Sequence, residues 1–550
     1  MAARAPEGRG RWAALILLLG AAAIAAALLL SFSSGLAPFQ DSWEFLMHRR
    51  DPSVSAYLDP HNEHIVLIPV AIEQLVLRLF GMGSTTPEFV VLTALLLAVA
   101  VLLFVYVERR LGPWPALMAA VAMLFLGPAW QDLLWPFQIG FVGSALFGIA
   151  MLLALEAESE RGDLAACVLL AISIGFSSLG LPFAVAAAVD VLQRRRPRGL
   201  RRAYLVAAPV LLYAVWYLGW GQDAESHLTA HHVLVSPRYV AEGLRASVDA
   251  LLALATIFNE AVGRSNWGWV ALAAVVAGLA WATIRRGSVP SRAWPSLAAM
   301  AAFWFLAAFS TMPGREAYSS RYLYVGALFV LLVAADLLAG LRARRLILVA
   351  GGAVAVAVAV LNLQPLREGR DFFKSQTVLT KADLGAIEIA RRTVEPGFTL
   401  PPEIAGTPFL NEIEAGEYLR AVDEYGSPAY TASELTAAPE TGRLQADVVL
   451  ANALPVTIEE GGAAAHLGGP GCRRQGGSFP ASGPLPPGTT EVHFLPGPPG
   501  TIGLRRFAAS DALADEGLAG GSTTALVLPR DLSHRPWLLR VGGVEALVCH

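Results

Sequence analysis

The chain has 550 residues, 55% of them hydrophobic and only 15% charged, with a net charge of −3 and a mean hydropathy of +0.52. That balance places it in the membrane class and leaves no basic, aromatic-interleaved tract for nucleic acid. Three cysteines are too few for a zinc cluster, and Lys374 and Lys381 are the only lysines beside an arginine-rich remainder, which reads as a GC-rich bacterial genome.

Apolar runs long enough to cross a bilayer, or nearly so, recur near 12–33, 88–107, 114–130, 137–156, 164–178, 180–193, 203–220, 266–284, 294–311, 322–340 and 345–363. The first is too long for a removable signal and lacks a small-residue cleavage site, so it is expected to stay as an anchor. Two short runs flank Ser177-Ser178-Leu179-Gly180-Leu181-Pro182, which predicts a tight helical hairpin broken by Gly and Pro. Arginines then fall at alternate connections: Arg4, Arg9 and Arg11, Arg109-Arg110, Arg161, the cluster Arg194 to Arg202, Arg285-Arg286 and Arg342-Arg344-Arg345. About eleven spans put all of these on one side, with the N-terminus cytoplasmic and the region after 364 external. The apolar segment Ala246 to Ile257 would invert that order if it crossed, so it is expected to lie along the outer interface or to dip in and return.

The external side thus collects the loop 34–87, the connection Trp130 to Trp135, the loop 221–265 with His227, His231 and His232, the stretch Arg315 to Tyr324, and the C-terminal region. Within the first loop Ile65, Leu67, Ile68, Ala71, Ile72, Leu75, Val76 and Leu79 recur at helical spacing, with Glu73 and Arg78 between them. This predicts an amphipathic interfacial helix ended by Gly81 and Gly83. The chain divides into a multi-span domain, 1–363, and an external soluble domain, 364–550. The latter has a helix around Asn411 to Asp423, then Gly- and Pro-rich sequence with β-like runs at Asp447-Val448-Val449-Leu450, Glu491 to Leu495 and Trp537 to Val541. A small β-sandwich outside the membrane is expected, giving an α-helical polytopic protein with an external α+β domain. Cys167 lies in an apolar stretch as a packing residue, whereas Cys472 and Cys549 pair if their region faces an oxidising compartment.

Polar chemistry in such a protein belongs where carboxylates and histidines gather at a membrane face. The first loop offers Gln40-Asp41-Ser42-Trp43-Glu44, Tyr57 and His61-Asn62-Glu63-His64-Ile65, then the amphipathic helix and Leu79-Phe80-Gly81; Arg321-Tyr322 starts a late span. This order resembles the GT-C superfamily of polyprenyl-phosphate-dependent membrane glycosyltransferases, in particular the protein O-mannosyltransferase and aminoarabinose transferase branch. That branch carries a catalytic acid in its first external loop, then a Tyr, a His-Pro-Pro-Leu-like stretch, an interfacial helix ending near Phe-Gly, and Arg-Tyr at a late span. Here Ser42-Trp43 separate the two acids, and Asn62-Glu63 stand where the branch has two prolines.

The resemblance implies transfer of a sugar from a lipid-linked phosphate donor to a cell-envelope glycan, lipid or protein in the inner (plasma) membrane. Such transfer needs a base for the acceptor hydroxyl and cations for the departing phosphate. Asp41 is the expected base with Glu44 one helical turn away, although Asp41 also suits a cap for a helix starting at Ser42 and Glu44 a solvated surface. Arg321 with Tyr322 is the expected phosphate clamp, the alternative being an interfacial anchor beside Tyr318 and Tyr324. Tyr57, His61, Glu63, His64, Asp132, Trp135 and Gln138 are the expected substrate contacts, Trp130 and Trp135 being equally at home in an aromatic belt. His61 and His64 lack a third ligand, so no metal site or cofactor is assigned, and a divalent metal stays open. A transporter or flippase, an envelope polysaccharide polymerase or ligase, and a non-catalytic scaffold are the rival readings. No internal repeat of the transporter kind is visible.

Overall fold

The computed structural model describes residues 7–193, 201–224, 229–341, 343–407, 410–461, 471–476 and 482–550. Arg4, the arginines at 194, 195, 196 and 198, His227 and Arg342 lie outside the described residues. The chain is mostly helical and forms two compact units. The first comprises 1–34, 49–76 and 86–372; the second comprises 35–48, 77–85 and 373–550. The division therefore does not fall at one point near 363, because two pieces of the first loop belong to the second unit.

Every apolar run of the first unit is helical: Glu7–Ser33, Thr86–Leu111, Pro113–Leu124, Ile139–Leu155, Glu160–Phe176, Gly180–Gln193, Tyr204–Gly219, Trp267–Arg286, Ala293–Phe309, Ser320–Leu338 and Arg345–Leu361. Among the described residues six helical stretches are long and apolar enough to cross a membrane, or seven if Pro113–Leu124 and Gly127–Leu134, bent by 43°, count as one. Local signals set the boundaries. Gly112, at φ +87°, precedes Pro113 at the first helical position, and Ser159 caps Glu160–Phe176 by accepting the Gly162 N–H at 3.1 Å. Close approach is built in as well. A Cβ on Gly148 would stand 2.4 Å from the Phe183 ring, so that helix pair packs only around glycine.

The helix ends sort into two groups by their contacts. In one, Arg11 meets Glu108 at 2.8 Å, Arg109 meets Glu156 at 2.8 Å, and Arg110 meets both Glu156 and Asp336. The same group contains Arg202 with Asp163 and Asp190, and Arg286 donating to the carbonyls of Leu337 and Ala339. The other group joins Ser178 to Glu63, Trp216 to Leu58, Gln131 to Ser320, Tyr239 to Arg315, and Asn362 to Ala250. The segment 246–257 belongs to the helices Ala230–Leu252 and Leu254–Phe258. Its contacts, and those of Arg245 with the carbonyls of Gly263 and Ser265, keep it within the second group. It is not a surface helix, however: Ala246, Ser247 and Asp249 are buried, because it packs against Ala293–Phe309 and Ser320–Leu338.

The expected amphipathic helix is Leu67–Phe80, followed by Gly81 at φ +72°. Ala71, Leu75 and Leu79 form its open stripe with Arg78 alongside, while Val70, Gln74 and Leu77 turn inward. An apolar exposed stripe ending in an arginine is what an interfacial helix presents to lipid.

The second unit joins helices to two antiparallel sheets. Its nine strands are β1 (Thr457–Gly461), β2 (Cys472–Gln475), β3 (Ser482–Leu485), β4 (Gly488–Phe494), β5 (Gly500–Arg505), β6 (Leu513–Leu518), β7 (Thr523–Leu528), β8 (Trp537–Gly542) and β9 (Ala546–Cys549). One sheet runs β1-β7-β4-β9-β2 and the other β3-β8-β5-β6. Alternate residues of both, such as Val492 and Phe494 against Ile502, Leu504, Leu539 and Val541, enter one apolar core. The helix expected near 411–423 is Ala415–Tyr425. The run Asp447 to Leu450, expected as β-like, is instead inside the helix Glu440–Ala453. Ala446, Val449, Leu450 and Ala453 all enter the core at helical spacing, which a four-residue apolar run cannot reveal. Cys472 and Cys549 face each other across β2 and β9 and form a disulfide.

Candidate functional site

In the first unit the sequence His61-Asn62-Glu63-His64 closes into a tight turn. His61 and His64 exchange backbone hydrogen bonds of 3.0 Å each, and Asn62 sits at φ +49°, a conformation asparagine tolerates better than most residues. The two rings then diverge, His61 edge-on to Phe137 at 5.0 Å and His64 edge-on to Phe141 at 5.4 Å. Glu63 is fixed twice. Its carbonyl accepts the Ser178 hydroxyl at 3.2 Å, and its carboxylate oxygens take Arg315 Nη1 at 2.8 and 3.0 Å.

Burial pushes the His64 imidazole down to about 4, helped by Arg315, His61 and Arg321 and opposed by Glu63. It is neutral at pH 7, and among the described residues its Nδ1 meets no partner. Because the folded value lies below that of the free side chain, the unfolded chain takes up the proton first. Stability is whole above about pH 6.5 and is lost as pH falls towards 4. Going from pH 7 to 5 should cost about 2 kcal/mol through this residue. Thermal melts of His64→Gln should be flatter over that range by this amount; an unchanged pH dependence would contradict it.

Tyr57 is committed nearby. Its hydroxyl donates to Gln74 Oε1 at 2.6 Å, and Gln74 Nε2 donates in turn to the Arg49 carbonyl at 2.8 Å. Arg49 gathers the carbonyls of Asp59 and Pro60, which leaves Tyr57 as a brace for this loop.

The second connection carries the most unusual group. Pro128 stands at the start of the second member of the bent pair, and Asp132 on its short helix Trp130–Leu134 has 0% exposure. Among the described residues neither of its carboxylate oxygens completes a hydrogen bond, although the main-chain N–H of Tyr324 acts on the group. A buried carboxylate in that state costs several kcal/mol unless something offsets it. The segment is held firmly. The Gln131 N–H donates to Ser320 Oγ at 3.1 Å, Ser320 donates to the Pro128 carbonyl at 2.8 Å, and the Arg321 N–H donates to Gln131 Oε1 at 3.2 Å. Arg321 is the cation whose field reaches Asp132, and it also reaches His64. One Arg321 nitrogen donates to the Gly314 carbonyl at 3.0 Å, while its Nε meets no acceptor among the described residues. Tyr322 and Gln138 are buried beside this segment's helices. Trp135 is 1% exposed and stacked on Phe137 at 5.3 Å, so its indole is taken up by packing rather than offered to a sugar.

Asp41 and Glu44 belong to the second unit. Asp41 is buried immediately before the helix Ser42–His48, and Glu44 is half-buried in its first turn. Trp43 anchors that helix, donating to the Pro38 carbonyl at 3.0 Å and lying edge-on to Tyr418 at 6.4 Å. Thr377 accepts the Ala37 N–H at 3.0 Å, and His48 lies 3.6 Å from Glu417.

The structure thus brings His61, Glu63, His64, Asp132 and Arg321 to one group of helix ends in the first unit and adds Arg315. In the sequence Arg315 stands out only as the start of the external stretch Arg315 to Tyr324, six residues before Arg321. Among the described residues no cluster of three or more His, Cys, Asp or Glu side chains is arranged to hold a metal ion. No family model, curated protein or solved structure matches this chain.

Proposed function

We propose that this chain is a polytopic membrane glycosyltransferase that moves a sugar from a polyprenyl-phosphate-linked donor to a cell-envelope glycan, lipid or protein. The reading takes the helices as about eleven crossings of the plasma membrane. The N-terminus is then cytoplasmic and the second unit external. Two observations support that topology. Arginines crowd one group of helix ends, which suits the cytoplasmic face, and the disulfide suits an oxidising exterior.

The observation that carries the function is Asp132 with Arg321: a fully buried carboxylate that completes no hydrogen bond among the described residues, within the field of a guanidinium that has hydrogen-bonding capacity to spare. Structural ion pairs elsewhere in the first unit are mutually satisfied, as in Arg202 with Asp163 or Arg110 with Asp336. Groups left open in this way fit a ligand that brings both a hydroxyl and a phosphate. Arg321 would hold the departing phosphate, and inversion follows from direct displacement at the anomeric carbon. A carboxylate takes the proton of the attacking hydroxyl, a role that the family order gives to Asp41, with Glu44 next to it. Membrane lipids and the lipid-linked donor are the expected partners.

The test is mass spectrometry of envelope glycans from a deletion strain. A species lacking one sugar should accumulate and disappear on complementation. An unaltered glycan profile, with a change in the leaflet distribution of a lipid instead, would favour the flippase.

A further inference from the structure

Resting on the transferase reading, we infer that Asp132 is the carboxylate that takes the proton from the acceptor hydroxyl. Buried polar atoms in native proteins are paired, and each exception asks for a reason. In the first unit three exceptions are Arg321 Nε, His64 Nδ1 and both oxygens of Asp132, and the charge of Arg321 acts on the other two groups. Asp132 is the only acid among them, and its segment is locked in place through Gln131, Ser320 and the Pro128 carbonyl. A carboxylate whose oxygens complete no hydrogen bond among the described residues keeps lone pairs open to a substrate proton. One fixed by its backbone rather than by hydrogen bonds to its own oxygens is positioned for that transfer.

The step balances without any further reactant. The acceptor O–H proton passes to an Asp132 oxygen while the hydroxyl oxygen forms the new bond to the anomeric carbon. The bond from that carbon to the phosphate oxygen breaks, its electron pair stays on the phosphate, and polyprenyl phosphate departs against Arg321. Asp132 then returns the proton to water. Asp41 would be left with a structural part in the second unit, before the helix that Trp43 anchors.

Asp132→Asn separates this role from a structural one. An unpartnered buried carboxylate costs stability, so its neutral isostere should leave the melting temperature unchanged or raise it. The same variant in the full-length protein should retain binding of undecaprenyl phosphate by native mass spectrometry. In the complemented deletion strain, transfer should fall by about 10²–10⁴, the share of a positioned base. Full transfer by Asp132→Asn overturns the assignment, as does a lowered melting temperature or lost lipid-phosphate binding. Transfer kept by Asp132→Asn but lost by Asp41→Asn returns the role to Asp41 and leaves the transferase reading standing. A deletion strain with unaltered glycans would remove that reading itself.

Discussion

Replacing Asp447 with alanine should destabilise the second unit by about 3–5 kcal/mol, the usual cost of removing one side of a buried charged network. Asp447 has 0% exposure on the helix Glu440–Ala453 and accepts the backbone N–H groups of Arg506, Phe507 and Ala508 at 2.8 to 3.0 Å. Those three amides turn the chain as β5 ends, so one side chain ties the helical part of the unit to its second sheet. Burial pushes the Asp447 carboxyl up in spite of the three donors, so the charge itself is no net gain. The cost of truncation lies in what remains, three buried N–H groups with no acceptor. Asp447→Asn keeps one oxygen and should cost less than half as much. Hydrogen exchange at Arg506 to Ala508 and thermal unfolding of the disulfide-intact protein measure both variants. A loss below about 1 kcal/mol for alanine would mean that the turn finds other acceptors.

Hydropathy made the helical unit legible because a lipid-facing helix must be apolar over nearly its whole length, a signal that survives without homologues. The strands at Glu491 and Trp537 were legible for a related reason: residues such as Val492 and Phe494, or Trp537, Leu539 and Val541, alternate in strand fashion. Asp447 to Leu450 was not, since four apolar-rich residues satisfy either period and only the following turn decides between them. The capture of 35–48 and 77–85 by the second unit was also hidden. Trp43, Leu46 and Met47 read locally as one short amphipathic turn, and their partners, such as Tyr418, lie hundreds of residues away.

The candidate site was legible in part. Histidines and acids in a membrane protein's loops draw notice by their cost, and Asp132, Glu63 and Arg321 are of that kind. Which of them is already satisfied cannot be read from spacing. Glu63 turns out to be consumed by Arg315, Tyr57 by Gln74 and Trp135 by Phe137. Asp132 differs only in lacking such a partner among the described residues, a property of the folded neighbourhood rather than of Trp130-Gln131-Asp132-Leu133 as a string.

The account rests most heavily on Arg321 as a ligand for lipid-linked phosphate. Its main-chain N–H and one guanidinium nitrogen are used within the protein, and Nε remains for an incoming oxygen. Replacement by glutamine keeps length and some hydrogen bonding while removing the charge. A charge-assisted hydrogen bond is worth roughly 1.5–3 kcal/mol, so affinity for undecaprenyl phosphate should fall about tenfold to a hundredfold. Arg202→Gln, in the other group of helix ends and already paired with Asp163, controls for a general loss of positive charge. Titration of the purified full-length protein with undecaprenyl phosphate, followed by native mass spectrometry, should show that loss for Arg321→Gln and little change for Arg202→Gln. Equal affinity of wild type and Arg321→Gln, in protein with unchanged melting behaviour, would contradict the account.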